Sequence, residues 1–141
     1  MDFMKSLSIS ASGMSVQRTR VGLASSNLAN VETTRAEDGT GPYRRLDAVV
    51  TASSFDDAMN ESGEGAQGVE VMQIVADPSE GKLVHNPTHP DADANGFVRL
   101  PNVNPVQEMV NLMTAQRGYD ANATAFETAK TMIQRGLDIV R

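Results

Sequence analysis

Apolar residues recur at every seventh position near both ends of the chain, and this spacing restricts the fold more than any other feature of the sequence. Near the start the row is Leu7, Met14, Val21 and Leu28. Near the end it is Leu112, Tyr119, Phe126, Ile133 and Val140. A seven-residue repeat is typical of a helix that packs along one narrow face against another helix. The sequence therefore predicts two long helices, over 3–30 and from residue 105 to the C-terminus.

The second predicted helix has a clearly marked start. Asn104 is a good N-cap and Pro105 suits the first helical position. Gln107 stands where its side chain can reach back as half of a capping box. A helix of about 36 residues spans on the order of 54 Å. The first helix contains Gly13 and Gly22, which each lower helix stability by roughly 1 kcal/mol relative to alanine, so it is expected to be marginal alone.

Between the two helices, short β-like runs alternate with Gly, Pro, Asp and Asn. We predict strands over 43–52, 69–76, 82–85 and 97–100, with a mobile loop over 56–67. The predicted divisions are residues 1–34, a β-rich middle over 35–101, and residues 102–141. The predicted fold class is α+β, with the terminal helices packed as a coiled-coil-like pair beside a small β-rich domain.

The lengths of the predicted helices lead to a functional inference. A middle segment of about 67 residues makes a core too small to cover two apolar rows of roughly 40 and 54 Å. The helices must therefore cover one another or the helices of another chain, which favours association with copies of itself or with similar chains. The predicted assembly interface consists of Leu7, Met14, Val21, Asn27, Leu28, Leu112, Tyr119, Phe126, Ile133 and Val140.

Composition argues against several classes of protein. The net charge is −6 and the basic residues are scattered, so nucleic-acid binding is disfavoured. The chain has no cysteine, which excludes disulfides and thiolate metal sites. No segment resembles a membrane span or a cleaved secretory signal. Neither a Gly-x-Ser-x-Gly motif nor a cysteine nucleophile is present, so we expect no enzymatic activity and no cofactor.

Two sets of polar residues have a spacing similar to that of ion-binding sites. The run Asp91-Ala-Asp93-Ala-Asn95-Gly96 matches the first half of a calcium loop, but Asn102 stands where that loop needs a bidentate glutamate. We interpret the run as an Asx-rich turn with a positive φ at Gly96. The spacing of His85 and His89 would suit a metal site only on a helix, which the nearby prolines disfavour.

Motifs at both ends resemble a known family. The runs Ser10-Ala-Ser-Gly-Met14 and Ala24-Ser-Ser-Asn-Leu-Ala-Asn30 are similar to the N-terminal motif of bacterial flagellar axial proteins, which comprise the rod, hook and hook-associated proteins. The run Met113-Thr-Ala-Gln-Arg-Gly-Tyr-Asp-Ala-Asn122 resembles their C-terminal helix motif. The middle segments around Lys82-Leu-Val84 and over 89–96 resemble the proximal-rod members. Gly22 and Gly118 depart from the family pattern, which weakens local helix rigidity.

The resemblance implies a structural subunit of the flagellar basal body, located in the periplasmic rod. Such proteins are exported unfolded by the flagellar type III apparatus without a cleaved signal, and their terminal helices pack on assembly. The implied partners are other rod proteins, copies of the chain itself, and hook-base and ring components, with no nucleic acid or small-molecule substrate. A coiled-coil adaptor and an ion-dependent binding module remain as alternatives.

Polar residues of the first helix have two alternative roles each. Asn30 can end the helix as a cap, while Asn27 can satisfy a buried polar partner and so fix the register of the packed helices. Arg18 and Arg20 can be solvated, or they can pair with acidic residues such as Asp120 and Glu127 on neighbouring helices.

Overall fold

The structure, a computed structural model, describes residues 3–36, 39, 41–54 and 67–139. Its elements in chain order are α1 (Phe3–Ala29), β1 (Leu46–Ser54), β2 (Gln67–Ala76), β3 (Leu83–His85), β4 (Phe97–Arg99) and α2 (Pro105–Ile139). The predicted α+β class, both helices and all four strands are confirmed, with ends displaced by up to three residues. The predicted loop over 56–67 lies outside the described residues except for its last residue, which begins β2.

The four strands form two separate antiparallel pairs. Strands β1 and β2 pair over their whole length, from Leu46 opposite Ala76 to Ser54 opposite Gln67, with a bulge between Val49 and Val50. Strands β3 and β4 form a short second pair. The Val98 side chain of β4 is only 2% exposed and forms the centre of this smaller unit.

The longer strand pair lies against α1. The Ser12 hydroxyl donates to the carbonyl of Ile9 at 2.8 Å and accepts from the Val69 amide of β2 at 3.2 Å. A Cβ on Gly68 would lie 3.2 Å from that hydroxyl, so the strand approaches the helix closely where its own side chain is absent. One serine thus anchors β2 to the middle of α1.

The start of α2 follows the sequence prediction in one respect and departs from it in another. The Asn104 side-chain oxygen accepts from the amides of Val106 at 3.1 Å and Gln107 at 3.4 Å, which confirms the N-cap. The expected half capping box is wrong. The Gln107 side-chain amide instead donates to Asn111 at 3.2 Å, one turn ahead on the same helix.

Asn102 joins the start of α2 to the start of β1. Its side-chain oxygen accepts from the Arg45 amide at 2.8 Å, and its side-chain nitrogen donates to the Asp77 carbonyl at 3.2 Å. Just upstream, a Cβ on Gly81 would lie 1.7 Å from the Leu100 carbonyl oxygen, so no side chain fits there. Through its contact with Asn102, Arg45 lies beside the first turn of α2.

Candidate assembly interface

The helices α1 and α2 run antiparallel in one continuous register. Asn122 of α2 lies against Gly13, Gln17 lies against Gly118, and Asn27 is hydrogen-bonded to Glu108. The residue numbers of each pair have the same sum, so all three pairs belong to one alignment. A Cβ on Gly118 would lie 2.9 Å from the Gln17 side chain, so this glycine makes room for Gln17.

Small side chains line the contact between the helices. The buried positions of α1 are Ser10, Gly13, Val16, Ala24 and Asn27. Those of α2 are Glu108, Ala115 and Ala129, which are spaced by seven or fourteen residues. Small residues allow the two backbones to approach closely, but they bury little apolar area and therefore contribute little hydrophobic stabilisation each.

The residues of the predicted interface mostly flank this line of small residues. Asn27 is buried, and Tyr119 is 40% exposed. Val140 lies outside the described residues. The remaining positions are half-buried, namely Leu7, Met14, Val21, Leu28, Leu112, Phe126 and Ile133. The α1–α2 contact therefore covers these side chains only in part.

Asn27 has the most complete set of hydrogen bonds among the described side chains at the α1–α2 contact. Its nitrogen donates to the Leu46 carbonyl at 2.9 Å and to the Glu108 carboxylate at 3.0 Å. Its oxygen accepts from the Tyr43 hydroxyl and from the Leu46 amide, both at 2.9 Å. An amide side chain has two donors and an acceptor oxygen with two lone pairs, so every group of Asn27 is satisfied. The buried polar partners predicted for Asn27 are thus residues of the same chain.

Glu108 carries a carboxylate into the interior, where its side chain is only 1% exposed. It accepts from Arg45 Nε at 2.8 Å and from the Asn111 side chain at 3.2 Å, in addition to Asn27. Arg45 also contacts the exposed Asp47 at 3.0 Å. A buried carboxylate is tolerated only when it is paired and hydrogen-bonded in this way.

Burial of the Arg45 guanidinium by itself lowers its pKa, because burial disfavours the charged form. The hydrogen bonds and charges of Glu108 and Asp47 outweigh this effect, so the pKa of Arg45 is raised above its ordinary value. Arg45 therefore stays charged and balances Glu108. We refer to Asn27, Tyr43, Arg45 and Glu108 as the polar cluster; it joins the end of α1, the entry to β1 and the start of α2.

A cavity of about 280 Å³ borders the polar cluster and is lined by Arg20, Asn27, Arg45 and Glu108 among others. Arg20 and Arg18 are exposed on α1. No metal or substrate chemistry follows from this lining, because the carboxylate and the Arg45 guanidinium already neutralise each other.

Sequence reasoning did not find Glu108, Arg45 or Tyr43 as members of this interface. One signal was available for Glu108: it begins the row Glu108, Ala115, Asn122 and Ala129, spaced by seven like the apolar row beside it. Nothing in the sequence marks Arg45 among the scattered basic residues, because its role depends on a contact across 63 residues.

The candidate ion-binding run, residues 91–96, forms a turn in which the Asp93 carboxylate accepts backbone hydrogen bonds. Gly96 has a φ of 78°, and Asp93 accepts from the amides of Asn95 and Phe97, both at 2.9 Å. These features confirm the Asx-turn interpretation. Asp91 instead bonds to Thr34 at 2.7 Å and to Arg35, which ties the turn to the segment after α1. Among the described residues, no cluster of three or more His, Asp or Glu side chains is placed to hold a metal ion.

The two histidines have separate local roles. His85 packs its ring edge-on against Phe97 with centroids 5.1 Å apart. His89 accepts from the Asp91 amide through Nδ1 at 3.1 Å. Both roles are structural contacts within the β3–β4 region.

Comparison with known proteins defines first the class and then the family. The family model described as the C-terminal part of flagellar basal body rod FlgEFG proteins matches residues 94–139, which contain the whole of α2. The flagellar basal-body rod protein FlgC of Bacillus subtilis is 43% identical over 143 residues, covering 95% of both chains. That of Borreliella burgdorferi is 38% identical over 153 residues, covering 100% of this chain and 99% of the relative.

A third relative, from Salmonella typhimurium, is 37% identical over 131 residues and covers 93% of this chain and 92% of its own. The chain belongs to the family of flagellar basal-body rod proteins FlgC, which are structural subunits and not enzymes. Within the described part of the chain, no helix is both long and apolar enough to cross a membrane.

Proposed function

We propose that this chain is a subunit of the proximal rod, in the periplasmic part of the flagellar basal body, and that it transmits torque through lateral contacts with neighbouring subunits. The observation that carries the proposal is the α1–α2 pair, in which a buried polar cluster fixes the register while the apolar rows are only half covered. Neighbouring helices would complete their burial.

The outer face of α2 supports association beyond one chain. Its first three turns expose apolar side chains at helical spacing, each at least 47% accessible: Val106, Met109, Val110 and Met113. A contiguous exposed apolar face on a helix indicates a partner surface. We assign this face of α2 and the predicted rows around Tyr119 to the assembly interface. The proposed partners are copies of the chain, other rod proteins, and hook-base and ring components.

We further propose that α1 and α2 act as a coiled-coil-like unit in the rod. The seven-residue spacing along both helices suits a left-handed pairing, and the exposed Arg18 and Arg20 are suited to acidic groups such as Asp120 and Glu127 of neighbouring helices. Passage through the type III apparatus in an unfolded state, without a cleaved signal, fits a helix contact built from small side chains, because such a contact is weak enough to form late.

Deletion of the chain in its host tests the proposal. We expect basal bodies that stop before a rod is formed, seen by electron microscopy, and cells that do not swim until the gene is supplied again. A deletion strain with complete rods and normal swimming would contradict the proposed function.

A further inference from the structure

The two ends of α1 are held very differently. Near its C-terminal end, Asn27 is bonded to Tyr43, Leu46 and Glu108, and the Glu108 carboxylate is in turn bonded to Arg45. This end is therefore tied to β1 and α2 at once. Breaking it would remove one hydrogen bond from the buried Glu108 carboxylate and both Asn27 bonds from the part-buried backbone of Leu46.

Towards its N-terminal end, α1 meets α2 through smaller contacts. Gly13 lies against Asn122, and the buried positions nearest that end are Ser10 and Ala129. Apolar side chains there remain open to solvent, since Met4 is 68% exposed and Met132 is 54% exposed. Separating this half uncovers Val16 and breaks the Ser12–Val69 hydrogen bond to β2, but it leaves the buried Glu108 carboxylate paired, so it opens more easily than the half near Asn27.

Gly22 lies between the two halves. A Cβ added to Gly22 would meet nothing within 4 Å, so packing does not require a glycine at this position. A glycine inside a helix lowers the resistance of the backbone to bending. It stands five residues before Asn27, just outside the polar cluster.

We infer that α1 bends at Gly22 and that its arm, Phe3–Val21, exchanges the α2 and β2 of its own chain for those of a second copy, while the polar cluster stays closed. The second copy is the fitting partner because it presents the same complementary groups in the same register: Asn122 for Gly13, Gly118 for Gln17, and the Val69 amide for Ser12. Exchange of an identical element needs no new surface, and head-to-tail exchange extends into an open chain of subunits. The inference rests on the proposed self-association.

The absence of cysteine makes the exchange directly measurable. A Cβ on Gly13 would lie 3.0 Å from Cγ of Asn122, which is within reach of a disulfide. We would mix full-length chains carrying Gly13→Cys alone with chains carrying Asn122→Cys alone, and then oxidise them. The inference predicts disulfide-linked dimers containing one of each variant, well above the dimers formed by either variant alone. Absence of mixed dimers would overturn it, as would equal dimer formation by Gly13→Cys alone.

The hinge is tested in the same assay with Gly22→Ala. Gly136→Ala is the matched control, because Gly136 is also helical and also has open space around its missing Cβ. Because alanine stiffens the helix at the hinge, we expect Gly22→Ala to slow mixed-dimer formation about fivefold. We expect Gly136→Ala to leave the rate nearly unchanged. Equal rates in the two variants would overturn the hinge at Gly22.

Sedimentation of the unmodified chain separates this inference from the proposed function. Concentration-dependent association without mixed dimers at positions 13 and 122 would overturn the exchange and leave self-assembly standing. A chain that stays monomeric in sedimentation would contradict the proposed self-association itself.

Discussion

The side-chain nitrogen of Asn27 and the carboxylate of Glu108 lie 3.0 Å apart although 81 residues separate them in the sequence. They are also the largest fully buried side chains of the described residues. The end of the first helix and the start of the second are thus joined by a polar contact, whereas the rest of the interface is made of small and half-covered side chains. Because such a bond forms only in one alignment, it specifies the register that the apolar rows alone leave open.

Replacing Asn27 tests this role. In Asn27→Leu the part-buried backbone groups of Leu46 lose their Asn27 partner and the buried Glu108 carboxylate loses one of its hydrogen bonds, so we expect the free energy of unfolding in urea to fall by about 3 kcal/mol. Swimming should also be impaired in cells that carry only this variant. The control is Asn30→Leu, which removes only local bonds to Ser26 and Thr33 and should change stability by at most about 1 kcal/mol. Equal losses in the two variants would contradict a register role.

Removing the cation of the polar cluster should destabilise the fold. Arg45→Met leaves the buried Glu108 carboxylate without its counter-charge, and we expect a loss of about 3 kcal/mol in denaturant unfolding. The control is Asp47→Asn, which removes the exposed partner of the same arginine and should change stability by less than about 1 kcal/mol. If Arg45→Met were as stable as Asp47→Asn, the cluster would not hold the helices.

The glycines of the chain should respond to alanine according to what surrounds them. Gly81→Ala forces a methyl group against the Leu100 backbone oxygen, and a backbone atom cannot move aside as a side-chain tip can. We expect a loss of at least about 2 kcal/mol in thermal or urea unfolding. Gly136→Ala, in open space on α2, should instead stabilise by about 1 kcal/mol. A neutral Gly81→Ala would show that the β3–β4 region packs differently.

Acid should weaken the attachment of the β3–β4 turn to the segment after α1. Hydrogen bonds from Thr34 and Arg35 hold the pKa of Asp91 below its ordinary value, and those from Ser79 do the same for Asp77. A carboxyl whose pKa is lowered by folding stabilises the fold above its unfolded pKa, near 3.8, and loses this contribution as the pH falls through the lower folded pKa. Asp91→Asn should therefore flatten the fall of stability in acid, measured by urea unfolding between about pH 5 and pH 2. An unchanged pH profile would contradict the assignment.

The sequence was sufficient for the elements of this fold. The seven-residue rows predict both helices, Asn104 and Pro105 mark the start of α2, and the turn at Gly96 follows from its run of Asp and Asn. Each of these features is determined by residues close to one another in the sequence, so it can be predicted from a short stretch of the chain.

The centre of the interface could not be obtained in this way. The spacing of Leu112 and Tyr119 predicts a seam along α2, whereas the closest approach to α1 is at the small residues beside that row, such as Ala115. Which of two adjacent faces meets α1 depends on Gly13, Gly118 and the polar cluster together. Arg45 in particular acquires its role only after β1 and α2 are in place.

Cross-linking and mass spectrometry of basal bodies isolated from the host would test the central claim most directly. A rod subunit should be recovered in the purified basal bodies, with cross-links from the neighbourhood of the α2 face at Met109 and Met113 to rod proteins or to second copies of this chain. A basal-body preparation with complete rods that lacks the chain would contradict the account.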